Sequence, residues 1–61
     1  MGLKAWLVTN LENKEQKIIF LAKDPGTAAS KSGWKQMEVQ SIAEASDYLG
    51  NEKKYQEEYL K

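Results

Sequence analysis

Two short apolar segments, Leu3-Lys4-Ala5-Trp6-Leu7-Val8-Thr9 and Lys17-Ile18-Ile19-Phe20-Leu21-Ala22-Lys23, flank a polar stretch from Asn10 to Gln16. Both are rich in β-branched and aromatic residues and end in polar ones, the pattern of strands. Successive residues of a strand point to opposite faces. Leu3, Ala5 and Leu7 therefore share one face of the first segment, and Trp6 and Val8 share the other. The second segment divides into Ile18, Phe20 and Ala22 against Ile19 and Leu21. Neither face is polar. A chain of 61 residues has little left with which to cover both, so one face is expected to be left for a partner. If helices cover the face of Leu3, Ala5, Leu7, Ile18 and Phe20, then Trp6, Val8, Ile19 and Leu21 form an apolar patch on the other. A two-fold axis would pair such a patch with its own copy, so a homodimer with Trp6 at the contact is expected.

The rest of the chain supplies three further elements. Asp24-Pro25-Gly26-Thr27 has the form of a helix start, with Asp24 as N-cap and Pro25 at the first helical position. A short helix to Ser32, stopped by Gly33, competes here with a plain loop. Trp34 to Ser41 alternates in part, with Met37 and Val39 on one side, and supports a third strand. Ser41-Ile42-Ala43-Glu44 matches the Ser-x-x-Glu capping box. A helix from Ile42 would then align Ile42, Ala45 and Leu49. Gly50-Asn51 ends or interrupts it, and Glu52 onward is strong helix-forming material with Tyr55 and Tyr59 four apart. The expected fold is a single small α+β domain spanning residues 1–61. It is a three-stranded antiparallel sheet with a short helix and a C-terminal helical segment, in the order β-β-α-β-α, with the helical material on one face.

Composition narrows the function classes. The chain has neither Cys nor His, which removes disulfides and the common zinc arrangements. Neither a metal nor an organic cofactor is expected. Glu57 and Glu58 are adjacent and diverge on a helix. Glu44 and Asp47, three apart, could share a face, but Glu44 is absorbed by the capping box, so no catalytic pair emerges. A domain this small rarely builds the concave, desolvated setting that acid–base chemistry needs, and enzymatic activity is not expected. No segment approaches the roughly 20 apolar residues of a membrane span. No basic region followed by an apolar run opens the chain, so a cytoplasmic protein is expected.

Charge is balanced overall but unevenly spread. Residues 1–37 hold six lysines against Glu12, Glu15 and Asp24, a balance of +3. Residues 38–61 hold six acids against Lys53, Lys54 and Lys61, a balance of −3. Trp6 with Lys4, Lys17 and Lys23 could stack a base of single-stranded nucleic acid on a sheet face. Zero net charge, the acidic C-terminal part and the complete lack of Arg argue against that alternative. The tyrosines at 48, 55 and 59 either dock on the sheet or take part in recognition.

The opening Met1-Gly2-Leu3-Lys4-Ala5-Trp6-Leu7-Val8, the Ile19-Phe20-Leu21-Ala22-Lys23 strand and the stretch from Val39 to Tyr48 with Ala43, Glu44 and Asp47 resemble a group of small uncharacterised phage and prophage proteins. The resemblance covers about two-thirds of the chain. It brings no activity with it. What it implies is a small cytoplasmic protein of an infected or lysogenic bacterium. The expected role is a non-enzymatic protein-interaction module that binds itself or a host protein, inhibition of a host enzyme included. Its expected contact residues are Trp6, Val8, Ile19, Leu21, Tyr55 and Tyr59.

Overall fold

A computed structural model describes residues 2–60. The elements run β1 (Lys4–Asn10), β2 (Lys17–Ala22), α1 (Pro25–Ser32), β3 (Met37–Glu44), α2 (Ala45–Gly50) and α3 (Glu52–Tyr59). The strands form one sheet in the order β2-β1-β3, with β1 antiparallel to both neighbours. The fold is a small α+β domain. Because β2 and β3 flank β1 and run the same way, α1 is a crossover that passes over the sheet between them.

The β1–β2 connection is built on asparagine. Asn10 is buried, yet both polar atoms of its side chain have partners. Its Nδ2 donates to Gln16 Oε1 at 2.8 Å, and its Oδ1 accepts from the Glu12 N–H at 2.9 Å. Asn13 Oδ1 accepts from the Glu15 N–H at 3.1 Å, and the Gln16 N–H closes a turn onto the Asn13 carbonyl at 2.9 Å. These Asx-type bonds fix a six-residue connection, residues 11–16, that would otherwise leave register loose.

Helix α1 forms where the local signals place it. Asp24 sits in extended backbone, and its carboxylate accepts from the Thr27 N–H at 2.7 Å. That bond, strongest for the ionised form, holds the Asp24 carboxyl below its ordinary value of 3.8. Pro25 opens the helix, and Gly33 closes it with φ of 74°, a left-handed conformation a side chain would strain. The Ala28 face packs on Val8 and Ala22, all three buried, with Trp6, Phe20, Trp34, Met37 and Val39 around them.

The third strand departs from expectation. It runs Met37–Glu44, so Ser41 to Glu44 are extended and the capping box does not form. Trp34, expected at the entry of this strand, lies three residues before its first residue, Met37. The reason is the pairing of Ala5 with Ala43 and of Lys4 with Glu44. Ala5 is fully buried, so its peptide groups cannot turn to water if that partner leaves. A lost bond to a buried backbone group costs about 1–3 kcal/mol, while a helix cap is worth about 1. The ladder wins. Ile42 is the extra residue in a register shift opposite Ala5 and Trp6, a β-bulge. Helix α2 starts only at Ala45, capped by Glu44 without a side-chain bond.

Both faces of the sheet are covered, which corrects the expectation of helices on one face. Ala5 and Leu7 point away from the α1 face, yet both are buried, as is Tyr48 of α2. With α1 on the Val8 side, α2 covers this side by packing on β1 and β3, and α3 packs on α2. Asn51 makes the turn between them. Its N–H donates to the Tyr48 carbonyl at 3.0 Å, its Nδ2 to the Asp47 carbonyl at 3.1 Å, and its own carbonyl receives the Tyr55 N–H at 3.2 Å.

Candidate interaction surface

Register decides which side chains share a surface. Val8 lies opposite Ile18, Trp6 opposite Phe20, Leu7 opposite Ile19 and Ala5 opposite Leu21. Residues directly opposite in a sheet point the same way. Ile18 and Phe20 therefore belong with Trp6 and Val8, not with Leu3, Ala5 and Leu7. The expected patch of Trp6, Val8, Ile19 and Leu21 is not formed: its members divide between the two faces. Val8 is fully buried under α1. Trp6 is half-buried against the same cluster, and its Nε1 donates to the Ala22 carbonyl at 2.9 Å. Ile19 and Leu21 are half-buried on the opposite face. The basic residues named with Trp6 are divided too, since Lys17 pairs with Thr9 on the other face and Lys4 stays on the Trp6 side.

Tyr48, Tyr55 and Tyr59 do come together, although Asn51 breaks the helix between the first and second. The Tyr48 and Tyr55 rings are 5.9 Å apart and tilted; those of Tyr55 and Tyr59 are 6.3 Å apart and stacked. Gln56 Nε2 donates to the Tyr48 hydroxyl at 3.2 Å. This row fixes α3 on α2, in distances typical of favourable aromatic pairs.

Strand β2 stands out because its outer edge is open. The Asn10 N–H bonds to Gln16 at 3.0 Å on the β2 side, and the Leu11 N–H bonds to Gln36 at 3.1 Å on the β3 side. A central antiparallel strand alternates its bonds between its neighbours. Even-numbered β1 residues thus bond to β2 and odd-numbered ones to β3. It follows that Ile18, Phe20 and Ala22 turn their peptide groups inward, while Lys17, Ile19 and Leu21 turn theirs outward. The Leu21 carbonyl is met there by Lys31 Nζ at 3.1 Å. Ile18, on the α1 face, is 37% exposed.

The other edge, β3, is bulged at Ile42 and carries exposed Glu38, Gln40 and Glu44. Bulges and charges are devices that blunt an edge against pairing. Strand β2 pairs with β1 with no register shift and is apolar from Ile18 to Ala22. Its protection is confined to Lys17 and Lys23 at the ends and the Lys31 ammonium. The sequence reading missed Ile18 and Lys31 because which peptide groups face outward depends on register. The apolar Ile-Ile-Phe-Leu run was the available signal.

Among the described residues no concave pocket forms, and no three acidic side chains lie close enough to hold a metal ion. No helix among them is long and apolar enough to cross a membrane. Comparison with protein-family models, curated proteins and solved structures returns no match.

Proposed function

We propose that this chain is a non-enzymatic protein-interaction module whose docking element is the free edge of β2. The observation that carries this reading is the outward-facing peptide groups of Ile19 and Leu21 on an apolar strand that pairs with β1 without a register shift. Such an edge adds a further strand through main-chain bonds, with flanking side chains giving selectivity. Ile18 supplies the exposed apolar contact beside it. The resemblance to small phage and prophage proteins makes the bacterial cytoplasm the setting and a host protein, inhibited or merely bound, one partner to try.

The test compares immobilised wild-type chain with Ile18→Lys in a bacterial lysate. Ile18 is exposed, so the substitution leaves the core intact while placing a charge beside the edge. A protein retained by wild type and lost by the variant supports the reading. Retention unaffected by the variant removes the β2 edge as docking element for that protein, and retention of nothing removes a lysate protein as its partner. Salt-sensitive retention of a single-stranded oligonucleotide would replace the reading by nucleic-acid binding.

A further inference from the structure

We infer that the β2 edge takes a second copy of the chain, joined by antiparallel β2–β2 pairing across a two-fold axis with Ile19 at the axis. The inference rests on the β2 edge being the docking element and names its occupant. Outward peptide groups at Lys17, Ile19 and Leu21 are self-complementary, because an antiparallel pair matches odd-numbered residues with odd-numbered ones. Two registers use the whole strand. With Phe20 on the axis, Lys17 of each copy faces Lys23 of the other, and like charges directly opposite are destabilising. With Ile19 on the axis, Lys17 faces Leu21 and Ile18 faces Phe20. Lys23 then passes the strand end and reaches the connection that carries Glu12 and Glu15.

Charge selects the second register. It also places the exposed Ile18 side chain against the ring of Phe20, a β-branched–aromatic pair of the kind that stabilises sheets. The Lys31 ammonium leaves the Leu21 carbonyl, which accepts the Lys17 N–H of the second copy instead. A two-fold axis closes the assembly at two chains, since the bulged β3 edges remain outside. One strand pair buries less than the roughly 1,200–2,000 Å² of a standard stable interface. The dimer is therefore reversible and dependent on concentration.

Sedimentation equilibrium of the purified chain from micromolar to near-millimolar concentration tests this. The wild type is expected to pass from monomer to dimer, and Ile18→Lys to stay monomeric with an unchanged circular dichroism spectrum. Lys23→Glu is expected to raise the dissociation constant about tenfold by setting acid against acid. Adding Glu15→Lys to it should restore association. Stronger association of Lys23→Glu would mean that Lys17 faces residue 23, which overturns the Ile19-centred register. A wild type that remains monomeric throughout overturns the dimer. Retention of a lysate protein by wild type and not by Ile18→Lys would in that case leave the docking role of the edge standing.

Discussion

The chain enters its first and second helices by different physics. At α1 the Asp24 carboxylate accepts a 2.7 Å bond from Thr27, Pro25 presets the first turn, and nothing competes. Before α2, Ser41 and Glu44 have an equally good capping pattern, but the segment they bracket is already paired with β1, with Ala43 opposite the buried Ala5. The difference lies in the alternatives open to each segment. Asp24 is exposed and lies beyond the last residue of β2, so capping costs no ladder bond. Ser41 could cap only by withdrawing a strand from the buried Ala5. A cap signal is thus a statement about local energy, and it holds only where tertiary pairing makes no larger claim.

The sharpest way to break this contrast is a proline at residue 43. Ala43 faces Ala5 in the ladder, so Ala43→Pro should cost about 3 kcal/mol, through a lost bond and a clash. In the first turn of a helix proline would be tolerated. Urea denaturation followed by circular dichroism should find the variant largely unfolded, since a domain of this size holds only about 3–5 kcal/mol. A variant as stable as wild type would return residues 41–44 to a helix.

Next in size is Asp24→Ala, expected to cost about 1 kcal/mol in the same measurement, the usual worth of a lost N-cap. The cap also has a pH signature. Because the folded carboxyl titrates below its ordinary 3.8, the unfolded chain binds the proton more readily. The stabilisation is present above the unfolded value and is lost as pH falls through the folded one. Acidification should lower the urea midpoint of wild type more than that of Asp24→Asn. Equal losses in the two would show that the carboxylate is not what caps α1.

The smallest effect is expected at Ser41→Ala. As an exposed strand residue it should change stability by no more than about 0.5 kcal/mol. A loss near 1 kcal/mol would mean that the hydroxyl does cap a helix.

How much of the molecule can be read from its residues follows from the same contrast. The strands at the start of the chain, the α1 helix with Asp24 and Gly33 at its ends, and the break at Gly50-Asn51 all rest on neighbours within a few positions. The pairing of faces does not. Alternation separates Ile18 from Ile19 but is silent on which of them joins Trp6, because a one-residue change of register exchanges the two sets. Asn10 and Gln16 fix that register through side-chain and backbone bonds across the connection. The interaction patch drawn from alternation alone therefore fell on two faces, and the open β2 edge was out of sight.

What the sequence by itself determined was the class of the fold and the kind of chemistry available to it. Without His or Cys and with two apolar segments in its first 23 residues, the chain was bound to a small sheet-based domain with few catalytic groups. Tertiary structure decided that β3 runs through the capping box, that α2 closes the second face, and that β2 rather than the Trp6 face stays accessible. These are long-range choices. Each is settled by whether the peptide groups and side chains of the central strand, above all Ala5, Leu7 and Val8, find partners when they leave water.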